Sequence, residues 1–108
     1  MSSQSKDEAV FKALAHRRRR EILDKLKDRP LTTGEICALF PRMDRCTIML
    51  HLSVLVNAGL VLTKREGRLR WNYLNVLPIK QIFDRWISRY AEPSVELLAR
   101  LKRELESR

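Results

Sequence analysis

The sequence has few of the residues that break or cross-link secondary structure. It contains three glycines, four prolines and two cysteines among 108 residues. With no low-complexity stretch and no internal repeat, this composition excludes a disordered or repetitive chain. Two cysteines, Cys37 and Cys46, are too few for a disulfide framework and are typical of a reducing compartment, so we expect a cytoplasmic protein.

Long apolar runs are also lacking. No segment approaches the roughly 20 consecutive apolar residues that a membrane-spanning helix needs, and polar residues 1–7 lead into no apolar signal core. We therefore expect no membrane partner. Hydrophobic residues make up 44% of the chain and charged residues 32%, a balance that indicates one globular domain with a modest core.

Acidic residues are the minority among the charged ones. Lysine and arginine total 22 against 13 acidic residues, which gives a net charge of +9. This surplus favours a polyanionic partner, either nucleic acid or an anionic membrane surface. A merely basic soluble protein would have the same composition, so the patterns along the chain must decide.

Local signals predict four helices in the first half. Apolar residues at helical spacing occupy 10–14 and 22–26, on either side of four consecutive arginines. Thr32, with Glu35 three residues later, has the capping-box pattern, which opens a short third helix that a proline closes. Asp44 can cap a fourth helix over 44–57, before Gly59 at an expected left-handed position. These last two helices, joined by a tight turn, form a helix-turn-helix.

A hairpin and a last helix follow. Runs 60–65 and 68–74 flank the pair Glu66-Gly67, a two-residue turn that contains glycine. The second run alternates an apolar set, Leu69, Trp71 and Tyr73, with a polar set, Arg68, Arg70 and Asn72. After Pro78, an apolar stripe stays in helical register to Leu105, with a kink or short break expected near 91–93.

Four segments in this order resemble the ArsR-type winged-helix repressors, over roughly residues 9–90. Residues 14–23 are similar to LA-(D/N)-P-T-R-R-x-IL, and 31–36 to L-(S/T)-x-x-E-(L/I). Residues 45–61 are similar to R-x-x-V-S-x-HL-x-x-L-x-x-AGLV, and 65–68 to the tip of the wing, which is the family's basic hairpin. The sequence departs from the family pattern at three places. His16-Arg17 stands where the family has aspartate-proline, Met49 where it has serine, and Leu50 where it usually has a polar residue.

The predicted fold class is mainly α with a small β-hairpin (α+β): a winged helix-turn-helix in the order α-α-α-α-β-β-α, with a long, kinked C-terminal helix. We divide the chain into a flexible N-terminus (1–8), a DNA-binding domain (9–78) and a helical dimerisation arm (79–108) that belongs to the same domain.

The resemblance implies a homodimeric repressor that binds an inverted-repeat operator in double-stranded DNA. Helix 44–57 would enter the major groove and the wing would reach the phosphates. The candidate DNA-binding residues are Arg45, Thr47, Met49, Leu50, His51 and Ser53 in the helix, Lys64, Arg65, Arg68 and Arg70 in the wing, and Arg19.

Each of these residues has a structural alternative. Arg45 could pair with Asp44 or face solvent, and His51 could be a satisfied structural histidine. Charges on the wing could protect an edge strand, and an arginine of 17–20 could form an ion pair with Glu21 or Asp24.

Helix 44–57 is apolar nearly all round, because Met49, Leu50, Val54 and Val56 add to its core positions. Such a helix is more often buried than laid in a groove. Two explanations stay open: the apolar side chains contact thymine methyl groups, or the helix packs against a protein partner. The alternative function is therefore a protein-interaction module on a winged-helix scaffold with weak or no specific DNA readout.

The sequence does not support a metal site or a catalytic site. Cys37 corresponds to the first cysteine of the family's metal motif, E-L-C-x-C, but Leu39 replaces the second, and a thiophilic site needs three or four ligands. We predict no metal, no cofactor and no enzyme activity, since no nucleophile with a base is evident. Cys37 is predicted to be buried and inert, whereas Cys46 near a helix N-terminus is a candidate for oxidation.

The apolar stripe of residues 79–105 is too long for an isolated surface helix. In the family the first and last helices form the dimer interface, and a second copy would bury the stripe. A groove for a hydrophobic effector or partner near Trp86 and Tyr90 is the alternative. The predicted interface residues are Val10, Phe11, Leu14, Ile82, Phe83, Trp86, Ile87, Tyr90, Leu97 and Leu101.

Overall fold

The chain folds into six helices and a small antiparallel sheet over the residues that the computed structural model describes, 3–87 and 92–107. The prediction of a mainly helical protein with a small β-hairpin is confirmed. In chain order the elements are α1 (Ser3–Leu14), α2 (Arg17–Leu26), β1 (Leu31–Thr32), α3 (Thr33–Leu39), α4 (Arg45–Asn57), β2 (Val61–Glu66), β3 (Leu69–Leu74), α5 (Leu77–Trp86) and α6 (Glu92–Glu106).

The element order differs from the predicted one in two places. A two-residue strand, β1, precedes α3 and pairs with β3, which makes a three-stranded sheet in the order β1-β3-β2. The predicted long C-terminal helix is instead two helices, α5 and α6. Of the predicted kink region, near 91–93, residue 91 lies outside the described residues, and residues 92 and 93 are the first two of α6.

Helix α1 begins at Ser3, within the segment that we expected to be flexible. Two contacts tie α1 to the rest of the chain. Asp7 accepts an ion pair from Arg85 of α5 at 2.9 Å, and Val10 is buried in the core. These long-range partners explain why a polar segment with little apolar character of its own is helical.

The core lies between the first four helices and the sheet. Helix α4 contributes Ile48, Leu52 and Leu55, whose spacing of four and three residues puts them on one buried face. Ile22 from α2 and Ile36 from α3 are fully buried beside them. Because this inner face is anchored, the opposite face of α4 is held outward in a fixed orientation.

Local capping sets the starts of α3 and α4 where the sequence predicts them. The Thr32 hydroxyl accepts a hydrogen bond from the Glu35 amide at 3.1 Å, and the Glu35 carboxylate accepts one from the Thr32 amide at 3.0 Å. Asp44 caps α4 by accepting from the Thr47 amide at 2.7 Å. These backbone hydrogen bonds lower the pKa of both carboxyls. Gly59 has the expected positive φ, +79°.

The turn of the hairpin lies one residue later than predicted. Glu66 pairs with Leu69, so the two turn residues are Gly67 and Arg68 rather than Glu66 and Gly67. Gly67 has a φ of +62°, which glycine adopts without steric cost at the first position of a tight hairpin turn. The glycine is a reliable signal for the turn, but its place within the turn depends on the strand register.

Strand β3 turns its polar set toward the body of the protein. Asn72 is fully buried, and its side-chain amide donates to the Leu31 carbonyl and the Thr33 hydroxyl, each at 3.2 Å. The buried amide thereby links β3 to β1 and the start of α3. Arg70 shares this face because side chains two residues apart point the same way, and it therefore projects toward α4.

Candidate nucleic-acid interface

The exposed side chains of α4 lie on one face of the helix. Arg45, Cys46, Met49, Leu50 and Ser53 are all exposed, at a spacing of i, i+1, i+4, i+5 and i+8 that describes a single stripe. We call these five residues the α4 outer face. Its direction follows from the buried residues on the opposite side of the helix, so it is available to a partner without any rearrangement.

The basic residues of the hairpin divide between its two faces. Arg65 lies opposite Arg70 in the strand register and shares a face with it, whereas Lys64 lies opposite Trp71 on the other face. The Lys64 ammonium is 3.4 Å from the Glu66 carboxylate. Of these basic residues, Arg65 and Arg70 are therefore the pair placed on the side of the hairpin that faces α4.

Helix α4 and the hairpin enclose a cleft that is rich in arginine. A cavity of about 230 Å³ is lined by Arg45 and Met49 of α4 and by Arg65, Arg68 and Arg70 of the hairpin, together with Thr32, Thr33, Gly34 and Leu69. We call the first five residues the basic cleft. An adjoining cavity of about 240 Å³ continues past Met49, Ser53 and Arg70.

The four arginines of the basic cleft have no acidic partner among the side chains that the structure describes, those of residues 5–87 and 94–107. Elsewhere in the chain exposed cations do find carboxylates: Arg29 pairs with Glu35 at 3.0 Å and Lys80 with Asp84 at 2.9 Å. Like charges held close together repel, and Arg65 directly opposite Arg70 is an unfavourable cross-strand pair. An external polyanion would relieve this repulsion.

His51 lies on the flank of α4 and not on its outer face. Its ring centroid is 4.6 Å from that of His16, and its Nδ1 accepts a hydrogen bond from Nε of Arg19 at 3.4 Å. Burial lowers the pKa of His51, and the nearby charges of His16, Arg19 and Arg18 lower it further. These contacts agree with a satisfied structural histidine.

The run of arginines that begins α2 contacts other residues of the same chain. Arg19 donates to the Lys12 carbonyl at 3.1 Å as well as to His51, so it ties α2 to both α1 and α4. Arg17 and Arg18 both pair with Glu21, at 3.0 and 2.9 Å, and the hydrogen bond from Arg18 is the main cause of a lowered pKa of that carboxyl. The predicted alternative, an ion pair with Glu21, is therefore what the structure shows.

The structure thus sorts the predicted DNA-binding residues into three groups. The first lies on the α4 outer face or in the basic cleft: Arg45, Met49, Leu50, Ser53, Arg65, Arg68 and Arg70. Lys64 lies on the far face of the hairpin. Thr47 is half-buried on the flank of α4, and His51 and Arg19 contact each other there.

Sequence reasoning missed two residues of this site. Cys46 was considered only as a thiol, yet it lies one helical turn before Leu50 on the α4 outer face. Helical spacing could have placed it there. Asn72 was assigned to an exposed polar set, yet it holds Thr33 and β1 beside the cleft, and no local signal separates a buried asparagine from an exposed one.

Two of the predicted dimer residues, Val10 and Ile82, are buried within the protomer. Their burial therefore needs no second copy, because α1 packs on α2, α4 and α5 of the same chain. Leu14 is half-buried against this core, and Tyr90 lies outside the described residues.

Four predicted dimer residues form an exposed patch on α1 and α5. Phe11 and Trp86 stack with ring centroids 6.4 Å apart, and Phe83 and Ile87 are exposed on the same C-terminal half of α5. We call these four residues the α1–α5 patch. The guanidinium carbon of Arg85 lies 5.0 Å from the centroid of the Trp86 ring, and the same guanidinium forms the ion pair with Asp7.

Helix α6 exposes every side chain described in it, those of residues 94–106. Its apolar side chains recur at helical spacing along one side, and we call them the α6 stripe: Val95, Leu97, Leu98, Leu101 and Leu105. An amphipathic helix whose apolar side chains are exposed in its own chain normally buries its stripe against another molecule.

The two cysteines are free thiols. Cys37 is half-buried, less than the full burial predicted, and Cys46 is exposed. Among the described residues, no three histidine, cysteine or acidic side chains converge as a metal site would require. None of the described helices combines the length and the apolar character needed to cross a bilayer.

Comparisons with known proteins agree with this architecture. A family model described as bacterial regulatory protein, arsR family, matches residues 16–63, which run from the start of α2 into β2. The ArsR-like transcriptional regulator from Rhodococcus sp. RHA1 has a similar structure, with a TM-score of 0.70 and 25% sequence identity over 100% of this chain and 99% of that chain.

Two relatives come from Bacillus subtilis strain 168. The HTH-type transcriptional regulator YuzN is 43% identical over 86 residues, which cover 74% of this chain and 94% of that protein. The transcriptional repressor SdpR is 36% identical over 66 residues, 61% of this chain and 72% of that protein. The resemblance seen in the sequence is thus confirmed: the chain belongs to the ArsR family of winged-helix, DNA-binding transcriptional regulators, and it is not an enzyme.

Proposed function

We propose that the protein is a homodimeric, sequence-specific repressor that binds an inverted-repeat operator in the cytoplasm. The observation that carries the proposal is the basic cleft, in which four arginines lie beside the α4 outer face and have no acidic partner among the described side chains. In a two-fold dimer, two α4 helices would enter successive major grooves about 34 Å apart.

The positions of the arginines suggest that they contact different parts of the DNA. Arg45 is the first residue of α4, and the N-terminal residues of a recognition helix meet the base edges, where arginine can pair with guanine. Arg65, Arg68 and Arg70 lie on the hairpin beside it, where they would meet phosphates. Phosphate contacts orient a protein on DNA and make its affinity depend steeply on salt.

The exposed apolar surfaces support a dimer. The α1–α5 patch and the α6 stripe lie outside the core and have no partner element described in the chain. In a two-fold dimer, pairing of two α6 helices would bury the stripe of each copy against the stripe of the other, because the same residues form both sides of such an interface.

Sequence similarity to a repressor supports a role in repression. SdpR is described as a transcriptional repressor, and it is 36% identical to this chain over 66 residues. A dimer that covers an operator represses by excluding polymerase from the same DNA, and this needs no catalytic group or cofactor. We therefore assign repression without a bound cofactor as the function.

Selection of binding sites from a random duplex library, followed by fluorescence anisotropy at several salt concentrations, tests the proposal. The selected duplex should bind at least about 10³-fold more tightly than a scrambled one. Arg68→Ala should weaken binding to both duplexes and reduce the slope of log affinity against log salt by about 1.8, because a homodimer loses one phosphate contact in each half-site. Lys25→Ala is the control, because Lys25 is exposed on α2 outside the basic cleft and its loss changes the net charge equally.

Two results would count against the proposal. If affinity stays flat between low and moderate salt, phosphates are not the partners of the cleft. If the selected and scrambled duplexes bind equally, the protein lacks sequence readout, and the interaction-module alternative replaces the repressor.

A further inference from the structure

The middle of the α4 outer face is apolar. Leu50 is 68% exposed and Met49 44% exposed, and Cys46 lies one turn before Leu50. The strong hydrogen-bonding side chains of this face, Arg45 and Ser53, lie on either side of the apolar pair along the helix. A helix that enters the major groove with this face would therefore present hydrocarbon, and not hydrogen-bonding groups, to the central base pairs.

The major groove offers hydrocarbon at only one kind of base. Guanine, cytosine and adenine expose donors and acceptors there, whereas thymine adds a 5-methyl group. If leucine and methionine side chains covered the donors and acceptors of a base, they would displace water without replacing its hydrogen bonds. Such a contact raises the free energy of the complex. Over thymine methyl groups, the same side chains gain hydrophobic contact instead.

We propose that Leu50 and Met49 read thymine 5-methyl groups, so that each operator half-site carries thymine beneath the middle of α4. The inference rests on the proposed function and adds the chemical group that α4 recognises. Met49 also lines both cavities next to Arg70, so it reaches the bases on the wing side of the groove, while Leu50 lies at the centre of the outer face.

Charge and size favour DNA over a protein as the occupant of this surface. Arg45, Arg65, Arg68 and Arg70 lie on one side of Met49 and have no acidic partner in the described part of the chain, as a duplex with phosphates at the groove edge requires. The apolar area comprises two side chains and one thiol, whereas a stable protein interface typically uses about 20–30 residues on each side.

Replacement of thymine by deoxyuridine is the direct test, since it removes one methyl group and leaves every hydrogen-bonding atom in place. In a duplex selected from a random library, each thymine is replaced in turn and the affinity is measured. We expect about a four-fold loss for each methyl group that is read, at one or two positions in each half-site, and little change elsewhere.

The Leu50→Ala variant links the effect to its side chain. This variant should bind the thymine duplex more weakly and should lose the penalty for deoxyuridine at the position that Leu50 reads. Because Leu50 is largely exposed, the variant should fold normally, which its circular dichroism spectrum and urea denaturation will check. Leu62→Ala is the matched control, because Leu62 is 54% exposed on the hairpin face away from α4 and should keep the full penalty.

The outcomes separate the inference from the function on which it rests. If a site is selected but every deoxyuridine substitution is neutral, methyl reading is wrong while the repressor proposal stands. If Leu50→Ala keeps the whole deoxyuridine penalty, another residue reads the methyl group and the inference fails. If no site is selected, or if all duplexes bind alike, sequence-specific function fails together with the inference, and the apolar face is left to a protein partner.

Discussion

Helices α4 and α6 are both rich in apolar residues, yet they use them in opposite ways. Helix α4 buries Ile48, Leu52 and Leu55 in the core of its own protomer, whereas all the side chains described in α6 are exposed. An apolar pattern therefore predicts that a helix will be buried, but it does not identify the surface that buries it. For α4 that surface lies in the same chain, and for α6 we propose that it lies in a second copy.

This difference has consequences for function. The burial of one side of α4 holds the opposite side outward, and the arginines of the hairpin lie beside it. In α6 the stripe is exposed in the described part of the protomer, so its energetic contribution should depend on the protein concentration. The following experiments, in order of decreasing effect, test whether the two helices differ in this way.

Leu101→Lys should disrupt the dimer with little effect on the isolated protomer. A buried leucine contributes about 1.5–3 kcal/mol, and a symmetric dimer loses it twice, so we expect the free energy of dimerisation to weaken by about 3–6 kcal/mol. Sedimentation velocity over a range of concentrations measures this change. Arg103→Gln is the control, because helical spacing places this exposed residue on the side of α6 opposite the stripe. An unchanged dimer in the Leu101→Lys variant would show that the stripe is not the interface.

Leu55→Ala should destabilise the protomer at every protein concentration. Leu55 is fully buried in α4, and truncation of such a leucine costs about 2–5 kcal/mol in the free energy of unfolding. Urea denaturation at several protein concentrations compares this variant with Leu101→Lys. The contrast between α4 and α6 would be lost if the effect of Leu101→Lys also persisted on dilution.

Thr32→Ala should lower the free energy of unfolding by about 1 kcal/mol, because it removes the hydroxyl that caps α3. Thr32→Ser keeps the capping oxygen and should retain most of the stability. Thermal or urea denaturation distinguishes the two variants. Equal losses in both would mean that packing of the threonine methyl group, and not the cap, is what matters at this position.

Because of His51, we expect the free energy of unfolding to be lower in mild acid than at neutral pH. Its pKa is lowered in the folded state, so as the pH falls below the ordinary value of 6.5 the unfolded chain takes up a proton that the folded chain resists. The contribution is therefore complete above that value and decreases as the pH falls through the folded pKa. His51→Leu should flatten this part of the curve of unfolding free energy against pH, and His51→Lys should destabilise the protein at neutral pH.

Features that depend on neighbours in the sequence were predictable. Capping by Thr32 and Asp44, the positive φ of Gly59 and the buried triplet of α4 all follow from residues within a few positions of one another. The basic hairpin was also recognisable, although its turn is one residue later, since the register depends on pairing along the whole strand.

Features that depend on distant neighbours were not predictable in the same way. His51 matched a motif associated with DNA, yet its contacts with His16 and Arg19 lie 32 or more residues away in the chain. Asn72 alternates with apolar residues as an exposed polar residue would, yet it is buried against β1. The helical start at Ser3 depends on Asp7 meeting Arg85.

The amino-acid sequence alone determined the helix-turn-helix, the basic hairpin and the surplus of positive charge, because caps, turns and periodicity act over one or two helical turns. Only the tertiary structure decided which side chains meet. It brought Arg45, Arg65, Arg68 and Arg70 into one cleft, turned Met49 and Leu50 outward, and left the α6 stripe uncovered. The physical reason is that the core can bury only one face of each element, and the packing of distant segments selects that face.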